Sequence, residues 1–173
     1  IEFAGMPKSG KSTNIESITS YFQHYLNYKI RKIEEGARIS PLDKKNPFTY
    51  NSWSFHTTIN ELLRALLIEI DYDLILIDRG VYDHICFTEA LKRDKRITER
   101  EAKTSIEYFK NFLKYENAII LFLVEPEEAL RRELKHNRVK GRVMNEEFLS
   151  ILYDVYENYP RLNMDVYVCL LYT

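Results

Sequence analysis

Apolar side chains recur along this chain in two rhythms, one close to a helical turn and one of short unbroken runs. Positions 1–4, apolar but for Glu2, run into a glycine-bearing loop, after which Ile15, Ile18, Phe22 and Leu26 keep the spacing of one helix face. The pattern predicts a strand, a loop and a helix over 12–28, then a second strand over 29–34. Residues 35–52 hold Gly36, Pro41 and Pro47 and are expected to form a loop of functional length. A helix is expected over 53–70, with Ile59, Leu62, Leu63, Leu66, Leu67 and Ile70 on one face. The run Leu74-Ile75-Leu76-Ile77 suits a parallel strand buried on both faces. Helices over 82–92 and 98–115 follow, then a strand over 118–124 and a helix opened by Pro126, whose missing N–H costs nothing in a first turn. Asn145 caps a last helix that ends near Tyr159-Pro160, and 165–172 reads as a final strand. Strands alternating with helices predict an α/β fold with a parallel sheet covered on both faces.

Composition narrows the class. The 173 residues are 45% hydrophobic and 29% charged, which fits one domain over 1–173 and leaves no room for a second core of similar size. With 25 basic and 26 acidic side chains the net charge is -1, so the chain lacks the basic footprint of a duplex nucleic acid binder. Cys86 and Cys169 are too few for a disulfide framework and are expected in apolar surroundings. No apolar run approaches the ~18 residues that span a bilayer, and nothing resembles a secretory signal, so the expected location is cytoplasmic. Ile1 opens the chain inside a strand, and a few residues are expected to precede it. Glycine is scarce: Gly5, Gly10, Gly36, Gly80 and Gly141 fall below half of the ~7% average usage, and all five are expected at or beside one active site.

The strongest chemical signal is Gly5-Met6-Pro7-Lys8-Ser9-Gly10-Lys11-Ser12, which matches G-x-x-x-x-G-K-[ST] between a strand and a helix. Glycines let backbone N–H groups turn inward around phosphates, and the following helix N-terminus adds partial positive charge. Lys11 is expected at the β- and γ-phosphates, with Ser9, Gly10 and Thr13 around them and the Ser12 hydroxyl as a Mg²⁺ ligand. The third strand ends in Asp78-Arg79-Gly80, which places a carboxylate where such sheets bind ligands. Asp78 can hold Mg²⁺ through water or orient an acceptor, and Arg79 suits an acceptor phosphate or anion. No glutamate follows Asp78 to polarise water, and no N-K-x-D motif reads a guanine, so transfer is favoured over hydrolysis. Arg131, Arg132, Lys135, Arg138, Lys140 and Arg142 crowd the stretch around Gly141. Phosphoryl transfer needs cations and exclusion of water, so this run is read as a lid over about 131–144, with Arg138 and Arg142 closing on the transferred group. A solvated helix face is the plainer reading of the same run.

Together with the run Val124 to Arg132, these motifs make the chain resemble the thymidylate kinase and deoxynucleoside kinase group of phosphate-loop kinases over nearly its whole length. The resemblance implies a three-layer phosphate-loop fold with a five-stranded parallel sheet, ATP and Mg²⁺, and a nucleoside or nucleoside monophosphate as acceptor. It implies that Arg131 or Arg132 lies near the adenine of ATP, and that Lys8 stands where some thymidylate kinases place a catalytic arginine. Pro7 stands where thymidylate kinases carry an acidic residue, and Glu34-Glu35-Gly36 replaces their R-E-P or E-P, with Arg38 close behind as an acceptor-site candidate. By the same resemblance Glu35 is either a general base toward a hydroxyl or an exposed carboxylate at a strand end. Asp83, one turn into the next helix, is a candidate to face the acceptor.

Phe48, Tyr50, Trp53, Phe55 and His56 cluster where an acceptor pocket is expected; such spacing is more often that of core packing, and Trp53 and Phe55 are the candidates if one stacks on a base. The leading expectation is an ATP-dependent phosphotransferase acting on a nucleoside or nucleoside monophosphate. A kinase of another small metabolite or of a polynucleotide 5′ end, and a regulatory ATPase, remain as alternatives. The apolar faces of 81–91 and 98–115 would serve a homodimer or pack on their own sheet.

Overall fold

The computed structural model describes residues 1–69, 71–135 and 143–170. Arg138, Gly141 and Arg142, the core of the expected lid, lie outside the described residues, as does Ile70. Five strands, β1 (Glu2–Gly5), β2 (Ile30–Ile33), β3 (Leu74–Asp78), β4 (Ala118–Leu123) and β5 (Asp165–Leu170), form one parallel sheet in the order β2-β3-β1-β4-β5. The helices are α1 (Lys11–Leu26), α2 (Gly36–Ile39), α3 (Pro47–Arg64), α4 (Val81–Arg93), α5 (Glu99–Lys110), α6 (Pro126–Lys135) and α7 (Glu146–Asn158).

Alternation along each strand divides the core in two. Phe3, Leu76 and Phe122 pack with Ile15 of α1 on one face of the sheet. Ala4, Ile77, Ile119, Leu121 and Leu123 face the other way, into a larger core with α3, α4, α5 and α7. Strands that bury both faces show unbroken apolar runs, which is why β3 and β4 stand out in the sequence.

Two expectations are corrected. The segment 35–52 is not one loop: α2 interrupts it, and α3 begins at Pro47 because Asn46 caps it, its side chain accepting from the Thr49 N–H at 3.0 Å. Leu67 does not join the buried face of that helix. A π-helical turn at Ala65–Glu69 puts the residues out of phase with the turns before it, and Leu67 and Ile68 are 65% and 75% exposed. Arg131 and Arg132, at the start of the expected lid, lie in α6, which runs through Lys135.

Helix α4 is central to the layer beneath the site. Val81, Tyr82, Ile85, Cys86, Ala90 and Leu91 are all buried against the rest of the chain, so the apolar face weighed for a dimer is covered by the protein's own core. Strands β1 and β3, separated in the chain by β2, pair directly, and their C-terminal ends bring the loop after Gly5 beside Asp78 and Arg79.

Candidate active site

The loop between β1 and α1 has the backbone its sequence requires. Gly5 takes φ 125°, and a Cβ there would stand 2.1 Å from the Phe122 carbonyl oxygen, so both the conformation and the close approach to β4 exclude a side chain. Lys8 and Gly10 are both left-handed, with φ 59° and 82°, an alternation that turns successive N–H groups toward one side and makes an anion-binding concavity. Lys11 folds back over this loop. Its Nζ donates to the carbonyls of Gly5 at 3.0 Å and Met6 at 2.7 Å and to Ser9 Oγ at 3.4 Å. Burial, with the neighbouring Arg79 charge, lowers the Lys11 pKa to about 7.

Beside the loop, Ser12 Oγ donates to Asp78 Oδ2 at 2.8 Å and accepts from Arg38 Nη2 at 2.6 Å. The same guanidinium lies 3.5 Å from Asp78. Asp78 Oδ1 is buried and has no hydrogen-bond partner. Ser12 and Asp78 thus offer two oxygens, one of them unsatisfied, at a point that already attracts positive charge, which fits a divalent cation. Among the described residues no cluster of three or more His, Cys, Asp or Glu exists that could hold a metal unaided. Mg²⁺ at Ser12 and Asp78 would therefore take its remaining ligands from phosphate oxygens and water.

Arg79 is the hub of a buried network. It takes φ 66°, a sparsely populated conformation for a non-glycine residue and one that recurs at functional sites. Its Nη1 donates to both oxygens of Asp83, at 3.0 and 2.8 Å, and to the Gly5 carbonyl at 3.1 Å. Asp83 also accepts from the Gly5 N–H at 2.9 Å and from the Tyr156 hydroxyl at 2.7 Å. Despite its burial, Asp83 stays below the usual carboxylate range because Arg79 and Lys11 outweigh the desolvation. The other side of Arg79 meets Glu35: Nε lies 3.1 Å from Glu35 Oε1, while Arg38 Nε lies 3.7 Å from Glu35 Oε2. Glu35 is held between two guanidinium groups.

These groups line a cleft of about 760 Å³. One end is the phosphate loop, from Pro7 to Thr13, with Arg132 and Glu133. At the other end Tyr50, Asn51 and Ser54 of α3 face His84, Phe87 and Leu91 of α4, with Val143 and Met144 nearby. Glu35, Arg38, Asp78, Arg79 and Asp83 lie between the two ends.

Several expected site residues fall elsewhere. Phe55 does not line the cleft: it is fully buried and stacks on Phe109 of α5 with ring centroids 3.7 Å apart, because its position on α3 faces the helical core. Trp53 is half-buried and is absent from the cleft wall; Tyr50 and Phe87 are the aromatics there. Arg131 is exposed and paired with Glu128, whereas Arg132 lines the cleft and donates to the Lys8 carbonyl at 3.0 Å. Lys8 pairs with Glu133 at 2.7 Å, which ties the loop to α6. Gly36 and Gly80 are required behind the cleft, by packing: a Cβ would stand 2.4 Å from the Ser54 carbonyl oxygen in one case and 2.2 Å from Glu116 Oε1 in the other.

The groups that sequence reasoning missed are Tyr156, the Asn51–His84–Thr88 cluster and the buried pair Glu2 and Glu116. Glu2 accepts from the N–H groups of Gly80, Tyr82 and Asp83, and Glu116 from that of Val81, so both carboxylates cap α4 directly beneath Arg79. An acidic residue inside an otherwise apolar strand was the available signal for Glu2.

No protein-family model and no curated protein matches the chain. A solved structure of deoxyadenosine kinase from M. mycoides with bound dATP is similar to it, with a TM-score of 0.71 over 97% of this chain and 89% of that one, at 20% identity. The chain shares the α/β fold of that structure. The expected α/β architecture with five parallel strands is thereby borne out, both in the sheet itself and in this likeness. Within that fold the loop after β1 and the carboxylate ending β3 are neighbours because the two strands pair, Phe3 lying opposite Asp78. No described helix is long and apolar enough to cross a membrane.

Proposed function

We propose that the protein is an ATP-dependent nucleoside kinase, transferring the γ-phosphoryl group of ATP to a hydroxyl of a nucleoside. The observation that carries this reading is the position of Glu35: a carboxylate in the cleft wall between the phosphate loop and the pocket of α3 and α4, fixed by Arg79 and Arg38. A carboxylate held there can accept the proton of an attacking hydroxyl. It would repel an acceptor that already carried a phosphate, and the arginines that might offset that repulsion are occupied by Glu35, Asp83 and Asp78. The likeness to a deoxyadenosine kinase supports a nucleoside acceptor.

In this reading the ATP phosphates lie on the loop from Gly5 to Thr13, with Arg132 on the nucleotide side. Lys11 leaves the carbonyls of Gly5 and Met6 for the β- and γ-phosphates. Mg²⁺, when bound at Ser12 and Asp78, supplies charge neutralisation to the phosphates. The acceptor oxygen forms a bond to the γ-phosphorus, its proton passes to Glu35, and the bond to the bridging oxygen breaks with its electron pair leaving on ADP. Arg79 holds Glu35 and Asp83 in place while charge shifts. Arg138 and Arg142 are proposed to close on the transferred group from the segment after α6.

Incubation with ATP, Mg²⁺ and a panel of nucleosides and nucleoside monophosphates tests the proposal. ADP release that depends on a nucleoside supports it. Release that depends only on a monophosphate would move the protein to the nucleotide kinases, and release indifferent to any acceptor would make it a regulatory ATPase.

A further inference from the structure

Arg38 stands on the two residues that would hold the divalent cation. Its Nη2 donates to Ser12 Oγ at 2.6 Å and lies 3.5 Å from Asp78 Oδ2, while Ser12 gives its own proton to the same Asp78 oxygen. One of the two lone pairs that Ser12 Oγ could offer a metal is thus taken by a guanidinium. The reason lies in the surrounding charges. Asp78 is 5% exposed, and a carboxylate that deep is costly without a counter-charge. Arg79 is committed to Asp83 and Glu35, and Lys11 is turned onto the loop carbonyls. Arg38 supplies the missing charge.

The two sides of this contact differ in how firmly they are held. Arg38 is half-exposed and sits on α2, a helix of four residues. Ser12 opens the sixteen-residue helix α1, and Asp78 ends an interior strand of the sheet, so these oxygens stay in place when the guanidinium leaves. Asp78 Oδ1 has no hydrogen-bond partner, which leaves the carboxylate with one oxygen that the guanidinium does not satisfy. A second cation on the same oxygens would lie against the first, and like charges that close repel strongly in a partly buried site. Arg38 has another carboxylate within reach, since its Nε lies 3.7 Å from Glu35 Oε2.

We propose that Arg38 is a built-in counter-cation of the Ser12–Asp78 site, and that it yields those oxygens to the divalent cation that arrives with the nucleotide. Before loading, Arg38 neutralises Asp78 and lets the loop take up nucleotide phosphates without metal. On loading it turns to Glu35. Metal affinity is thereby set by the exchange of one cation for another at the same pair of oxygens. The proposal rests on the reading of Ser12 and Asp78 as the cation's protein ligands and is independent of which acceptor the cleft takes.

The test measures the dissociation constant of a non-hydrolysable ATP analogue by calorimetry, with Mg²⁺ and with a chelator in its place, in the wild type and in Arg38→Gln. No acceptor is present. The ratio of the metal-free to the metal-bound constant reads how much the cation adds to binding. Arg38→Gln is expected to raise that ratio by about tenfold or more, weakening metal-free binding and tightening metal-bound binding. Arg38→Lys keeps a positive charge without the planar fork and is expected to fall between the two. Electron spin resonance titrations with Mn²⁺ in the presence of the analogue should show tighter metal binding in Arg38→Gln than in the wild type. A ratio unaltered in Arg38→Gln overturns the proposal; if both constants weaken together, Arg38 is a direct phosphate ligand instead. A ratio in Asp78→Asn equal to that of the wild type overturns the proposal together with the cation site beneath it. The measurement needs no transfer, so a protein that phosphorylates no nucleoside still shows the predicted ratio, and failure of the kinase reading is a separate result.

Discussion

Lys11 is a buried cation without an anion of its own. Its contacts are loop carbonyls and Ser9, and its pKa falls from an ordinary 10.5 to about 7. Phosphates favour the charged form, so binding ATP near pH 8 should draw in a proton that the free protein lacks, and much less of one at pH 6. Calorimetric titrations in buffers of different ionisation enthalpy measure that uptake directly; equal uptake at both pH values would contradict it. Because the folded value is the lower one, the cost of burying Lys11 is fully present below pH 7 and fades as pH rises toward 10.5. Lys11→Met should therefore raise the Tm of the nucleotide-free protein at pH 7, by about 2–4 °C per kcal/mol relieved, while Lys11→Ala lowers transfer by about 100-fold or more. The phosphate loop was legible residue by residue because its chemistry is contiguous. His84 was not, since its partner Asn51 lies 33 residues away on another helix and only packing brings them together. Phe55 stayed open between core packing and base stacking for the same reason: aromatic spacing does not say which face of α3 meets Phe109 and which meets the cleft.

At the scale of elements, the N-terminus of α4 decides where Arg79 and Asp83 stand. Two buried carboxylates cap it, Glu2 from β1 and Glu116 from the turn before β4. Burial raises both pKa values, and their mutual repulsion raises that of Glu2 further. Groups whose folded values are raised contribute stability that is complete below the ordinary 4.5 and is lost as pH climbs through the raised values. Glu116→Gln removes one charge, keeps an oxygen for the Val81 N–H and should be more stable than the wild type at pH 8 by about 1 kcal/mol, with the advantage shrinking at pH 5. Glu2→Gln should lose about 1–3 kcal/mol, because a single amide oxygen cannot serve three N–H donors. Urea unfolding at the two pH values checks both. Helix and strand types were readable here from apolar periodicity, and Pro126 and Asn145 marked their helix starts. The early start of α3 lay in the Asn46-Pro47 pair, masked by the aromatic residues that follow, and the π-helical turn at Ala65–Glu69 leaves no periodic trace.

For the whole molecule, the sheet order places the loop after β1 against the end of β3, and the helices after β2 and β3 form the second half of the cleft. A half built from the backbone of the phosphate loop and a half built from the facing sides of α3 and α4 are brought together across Glu35 and Arg79. The first half could be read from one motif; the second depends on how two helices pack and had to be seen. Following the γ-phosphoryl group of isotopically labelled ATP, with and without deoxyadenosine or another nucleoside, tests the central claim most directly. The account predicts label in the nucleoside monophosphate, at a rate set by the nucleoside and lost in Lys11→Ala. Label released as inorganic phosphate at one rate with or without any nucleoside would contradict it.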